Sequence, residues 1–212
     1  MIGAELTVQL VVLRFFAGLV IMTVQGATVA AAAVALGDHG PRHDGRLTLL
    51  PTRHIDLLGL GTLMLSGFGW SRPVAVEAAE LRWGRWGLVV IVLLGSGVLL
   101  VLASVLALLI APALTLLPYT AGLAIAAFLR LAARLAVWMA IFTLLPLPPL
   151  MGAQLLAAAG VRLPAAAGTA IGWGLLVVSA LGVTRLVLAP AYDVVAPLLL
   201  GDVAGSAIGA LR

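Results

Sequence analysis

Gly45-Arg46-Leu47-Thr48-Leu49-Leu50-Pro51, followed at once by His54-Ile55-Asp56, is the stretch on which the reading of this chain turns. It lies in a polar, turn-rich segment, residues 38–54, set between apolar runs. Within it, residues 46–50 can pair as a short strand that Pro51 stops, because proline has no N–H to give a ladder. Working outward, Gly37-Asp38 ends a long apolar run upstream. Phe68-Gly69-Trp70-Ser71-Arg72-Pro73-Val74 follows downstream, and Leu145-Pro146-Leu147-Pro148-Pro149-Leu150-Met151-Gly152 lies much further on.

Of the 212 residues 63% are hydrophobic and 9% are charged. Soluble domains carry about 25% charged residues. That deficit, with apolar runs of membrane-spanning length, identifies an integral membrane protein with a single membrane domain, 1–212. Residues 6–36 read as span 1, 88–110 as span 2, 119–145 as span 3 and 165–188 as span 4. Between the first two, 37–86 is a mixed region. Its residues 55–69 are apolar but short, with glycines at 59, 61, 67 and 69, and are expected to form a re-entrant hairpin. Residues 70–76 are expected as a second short strand. Trp70, Trp83 and Trp86, with Arg82 and Arg85, suit an interfacial belt. Residues 111–118 read as a turn bracketed by Pro112 and Pro118, and 190–212 as a mildly amphipathic surface tail. The fold class is therefore an all-α membrane bundle of about four spans, a re-entrant segment and a small membrane-associated β element.

All twelve basic residues are arginine and the net charge is +4. No basic stripe interleaved with aromatics exists, which excludes nucleic acid as a partner. The absence of cysteine excludes disulfides, thiolate metal sites and cysteine nucleophiles. Glu5 and the lack of a basic first region argue against a cleavable signal peptide. Segments 37–86 and 146–164 hold Arg42, Arg46, Arg53, Arg72, Arg82, Arg85 and Arg162. The other side holds Arg212, with Arg185 near the end of span 4. The positive-inside rule places the first side in the cytoplasm of a bacterial inner membrane.

The quoted motifs, in this order, resemble those of the site-2 protease family, the intramembrane zinc metalloproteases. The resemblance runs over about residues 19–156. In the compact group of that family, a helix bearing H-E-x-x-H leads to Gly-Asp, then to Gly-Arg-Leu-Thr-Leu-Asn-Pro and His-Ile-Asp. A Phe-Gly-Trp-x-Lys-Pro-Val strand follows, and later Leu-Pro-x-Pro-Pro-Leu-Asp-Gly. The resemblance implies a helical membrane bundle with a zinc centre. A catalytic zinc needs about three nitrogen or oxygen ligands and an open water position, with a glutamate as base. Counted back from Gly37-Asp38, the two histidines fall on Gln25 and Val29 and the glutamate on Gly26. The aspartate ligand falls on Met151. The family's Gly-Pro-x-x-Asn becomes Gly95 to Leu99, and its Asn before Leu-Leu-Pro becomes Thr143. The expectation is a pseudoprotease without a catalytic residue or metal cofactor.

Two other groups carry chemistry. His39, His43 and His54 lie near Asp38, Asp44 and Asp56, a donor set for a relocated metal site or else a solvated loop with His54 and Asp56 as scaffold. Arg130 and Arg134 stand i, i+4 inside span 3, and Arg14 lies inside span 1. An intramembrane arginine costs at least ~2.5–3.5 kcal/mol, so it is usually paired or faces a polar cavity. A partner subunit's acid, a lipid phosphate or an anionic cofactor would answer the charge; snorkelling is the alternative. The small residues of span 1 suit close helix packing.

Together these observations suggest a structural, assembly or regulatory subunit that binds other integral membrane proteins and lipid, holding their segments uncut. The alternatives are a metalloprotease with ligands relocated to residues 38–56 and an anion or small-molecule carrier.

Overall fold

The computed structural model of the chain describes residues 7–161, 165–203 and 205. Arg162 and Arg212, used above to orient the chain, and Glu5, used against a signal peptide, lie outside the described residues. Helix α1 (Val8–Leu36) starts on Thr7, whose hydroxyl accepts from the N–H of Leu10. It stops at Gly37, φ +116°, a left-handed cap that glycine adopts without strain. Two one-turn helices follow, α2 (Gly40–His43) and α3 (Pro51–His54), each started by a proline in its first turn. Then come α4 (Leu57–Ser66), α5 (Arg85–Leu108), α6 (Ile110–Leu116) and α7 (Tyr119–Phe142). Helices α8 (Ala153–Ala158), α9 (Ala165–Ala180) and α10 (Val183–Leu200) follow, and a 3-10 turn, Gly201–Val203, comes after α10.

Among the described residues four stretches are long and apolar enough to cross a bilayer: Val8–Leu36, Arg85–Leu116, Tyr119–Phe142 and Val183–Val203. The protein is an integral membrane protein, mostly helical. The turn expected over 111–118 is shorter than that, because α6 runs to Leu116. Pro112 is tolerated there in the first turn of α6, where its missing N–H costs nothing. The segment expected as one span over 165–188 is divided by Gly182, φ +80°, into α9 and α10. Residues 190–200, expected to begin a surface tail, continue α10.

The small β element is not formed. Among the described residues the pairing is a single antiparallel bridge, Ile55 with Ser71. Side chains occupy the carbonyls a ladder would use. The Arg46 guanidinium donates to Arg72 O (3.1 Å) and the His54 ring to Thr48 O (2.7 Å). Trp70 is also not an interfacial anchor. It is 1% exposed, wedged between Gly59 of α4 and Gly172 of α9, whereas Trp83 and Trp86 are open.

Helix α4 and the strand-like segment behind it form a hairpin against α1. Asp56 caps α4 by accepting from the N–H of Gly59 (2.8 Å). His54 lies over Gly26, Leu60 and Leu63 over Gly18, and the carbonyls of Met64 and Leu65 reach Arg14. Gly67, φ +86°, then turns the chain. On the way back Gly69 faces Met22, Ser71 bonds Gln25, and Arg82 N–H donates to Leu36 O (2.8 Å). From Gly26 to Arg14 the hairpin travels about 18 Å along α1. Small residues make this approach possible, which matters in lipid, where packing rather than water exclusion holds helices together.

Candidate functional site

The four positions singled out for lost zinc chemistry sit where α1, α5, α7 and the 145–152 turn converge. Val29 and Met151 meet over Gly95 of α5. A Cβ at Gly95 would stand 2.6 Å from Met151 Sδ and 2.8 Å from Val29 Cγ2. Glycine at 95 is thus what lets the thioether and the valine fill this space. One turn of α1 away, the imidazole of His54 covers Gly26, with Nδ1 2.5 Å from where a Cβ would be.

Gln25 is fully buried, and both ends of its amide are engaged. Its Nε2 donates to Thr143 Oγ1 (3.1 Å), and Ser71 Oγ donates to its Oε1 (3.2 Å). Thr143 in turn donates to Met139 O (2.7 Å). This chain of bonds ties α1, α7 and the returning limb of the hairpin. A buried amide so satisfied is a structural link, since breaking it leaves orphaned polar groups.

A zinc centre does not fit these residues. Val29 and Gly26 offer no donor, the Gln25 amide is already bonded on both sides, and Met151 offers a neutral thioether pressed against Gly95.

The relocated donors are kept apart. Asp38, 2% exposed, accepts from Gly40 N–H (2.8 Å) and Glu77 N–H (2.9 Å), tying the end of α1 to the segment around Glu77. Asp56 is the cap of α4. His39 and His43 are exposed, while His54 is buried. Among the described residues no group of three or more His, Asp or Glu side chains is placed to hold a metal ion. Because Thr48 O can only accept, His54 Nε2 carries the proton, and Nδ1 is left buried without a partner. Burial pushes the His54 pKa below its ordinary 6.5; the Thr48 contact opposes that and Arg46 adds to it.

Beside the filled position lies a cleft of about 420 Å³, with Val29, Thr143 and Met151 at one end and residues 70–74, Gly168 and Thr169 along it. A second cleft of about 690 Å³ runs past Val76, Glu77, Arg85 and Ala157. Pro148, Ala153 and Gln154 line both. Gln154, which sequence reasoning missed, donates to Val74 O (3.4 Å) and leaves Oε1 buried without a partner. Residues 72–77 beside it belong to no helix or strand, and among the described residues the N–H groups of Val74, Ala75 and Val76 have no partner.

The intramembrane arginines are arranged differently from the sequence grouping. Arg130 is exposed, and Arg134 donates through Nε to Val203 O (2.7 Å). Arg14 lies instead with Arg185, at the tip of the hairpin. No local signal marks that pairing, because the two come from opposite ends of the chain.

No protein-family profile matches the chain, and no solved structure matches it. A protein of Bacillus subtilis (strain 168) named "Putative zinc metalloprotease YwhC" is 33% identical over 132 residues, 60% of this chain and 59% of that protein. The chain thus spans less than two thirds of that relative's length. The chain is similar to that protein over this stretch, and the relative's named activity remains that relative's.

Proposed function

We propose that this is a site-2 protease-like membrane protein that holds an extended or transmembrane segment of a partner membrane protein without cutting it. The observation that carries the reading is the packing of Val29 and Met151 on Gly95 directly beside the open cleft. The reacting position is occupied by groups that cannot hold zinc, while the groove beside it remains. The N–H groups of Val74 and Val76, without a partner among the described residues, suit addition of a strand, a common mode of peptide capture. The Gln154 amide oxygen offers an acceptor at the same place. The role is structural, in assembly or in regulation, within a complex of membrane subunits.

The test joins two readouts on the full chain purified in mild detergent. Zinc content by mass spectrometry is expected to stay far below one ion per chain. A photoreactive residue at Gln154 is expected to crosslink a defined membrane subunit at an uncleaved segment. Stoichiometric zinc lost on His54→Ala would sink the reading and favour the metalloprotease with relocated ligands.

We also infer that the hairpin of α4 and its returning limb is re-entrant, and that 37–86 and 146–164 face the cytoplasm of a bacterial inner membrane. Helix α4 has ten residues, about 15 Å, too short to cross a ~30 Å hydrocarbon core. The chain has no cysteine, so single cysteines report cleanly. Thr52→Cys is expected to react with a membrane-impermeant maleimide only in inside-out vesicles, and Thr120→Cys only in intact cells. Labelling of both from the same side would overturn the topology.

A further inference from the structure

We propose that Arg14 and Arg185 form a binding site for the phosphate of a membrane lipid at the tip of the α4 hairpin. The two guanidinium groups converge on Gly67. A Cβ there would lie 3.6 Å from Arg185 Nη2 and 3.8 Å from Arg14 Nη2. Glycine leaves that volume free between them. Arg14 is fixed by its Nη1, which donates to Met64 O (3.1 Å) and Leu65 O (2.8 Å), the last carbonyls of α4. Its Nε is buried with no partner. Arg185 is held over the Trp138 ring, 5.5 Å from the centroid, and Trp138 stacks on Tyr192 at 4.1 Å. Each cation is thus positioned by groups that orient it without neutralising it.

Among the described residues neither guanidinium has an ion-pair partner. Of the described acids, Asp38, Asp44, Asp56, Glu77 and Glu80 belong to the segment at the other end of α1, while Asp193 stands eight residues, about 12 Å, further along α10 from Arg185 and Asp202 lies beyond that helix. Two like charges this close in a low-dielectric setting repel, and an anion between them removes the cost. Arginine's planar fork suits a tetrahedral oxyanion with more than one oxygen to offer. The surroundings select the source of that oxyanion. Leu65, Leu181 and Leu186 beside the pair are exposed apolar side chains, suited to acyl chains and not to water. A lipid supplies the phosphate and the apolar body together.

The experiment is native mass spectrometry of the full chain, delipidated in mild detergent and then offered phosphatidylglycerol, diacylglycerol or inorganic phosphate. One phosphatidylglycerol per chain is expected to be retained, with no diacylglycerol retained in its place. Arg14→Gln with Arg185→Gln is expected to lower retention at least about tenfold, the loss of one charge-assisted contact or more. Arg53→Gln, an exposed arginine of the opposite segment, should retain the lipid fully. Equal retention of diacylglycerol, undiminished retention in the double variant, or inorganic phosphate bound in preference to lipid each overturns the proposal. If the double variant fails to fold, the phosphatidylglycerol and diacylglycerol arms on the unaltered chain still decide it.

Discussion

Gly59→Ala is expected to destabilise the protein by about 3 kcal/mol or more, at the upper end of what overpacking costs. A Cβ at Gly59 collides with the carbonyl oxygen of Trp70 and stands 3.0 Å from Trp70 Cδ1. From the other limb, a Cβ at Gly69 would meet Gly59 O at 2.5 Å and Leu63 Cβ at 2.7 Å. The two limbs of the hairpin therefore touch backbone to backbone. Backbone cannot move aside as the end of a flexible side chain can. Separating the limbs would also pull Trp70 from its place against Gly172 and Ser71 from Gln25.

Gly61 supplies the control two residues along the same helix. Nothing lies within 4 Å of a Cβ there. Glycine in a helix interior is about 1 kcal/mol worse than alanine, so Gly61→Ala should leave stability unchanged or raise it. Thermal unfolding of both variants in detergent checks the pair. Equal losses would show that glycine content, and not the limb contact, governs the hairpin.

The same hairpin shows what could be read from the sequence. Its shortness, its four glycines and its place between long spans were legible, because length alone separates a ten-residue helix from a span. Its packing was not. Residues 46–50 and 70–76 have the residue types of strands, but no local pattern reveals that Arg46 will take the carbonyl of Arg72 in the facing segment and His54 that of Thr48 six residues back. Trp70 has the composition of a belt residue, and only the distant Gly172 makes room for it inside. The break at Gly182 falls in an apolar run without a charge before Arg185, so hydropathy passes over it. At the site, counting back from Gly37-Asp38 singled out Gln25, Gly26 and Val29, and the motif of residues 145–152 singled out Met151. What fills the space around them depends on Gly95 and His54, which come from other elements.

Gly26→Ala is expected to cost about 2 kcal/mol, and Gly26→Glu more, because the His54 ring already occupies the space. The ring atoms Nδ1, Cγ and Cβ would lie 2.5, 2.9 and 3.0 Å from a new Cβ. The ring cannot tilt away without losing its 2.7 Å bond to Thr48 O, worth roughly 1 kcal/mol. His54→Ala should therefore rescue part of the Gly26→Ala loss, and a double-mutant cycle in unfolding should return a coupling of about 1 kcal/mol or more. Additive losses would place the ring elsewhere. An independent readout comes from pH. Burial holds the folded-state pKa of His54 below its ordinary 6.5, so the unfolded chain binds the proton first. The stability contributed by the neutral ring is then complete above about pH 6.5 and declines as pH falls through the window between 6.5 and the depressed value. His54→Gln should flatten that decline. If the unaltered protein instead gained stability on acidification through this window, the buried neutral imidazole would be wrong. The metal-like chemistry of His54 would then have to be reconsidered, because only an accessible ring lone pair can bind an ion.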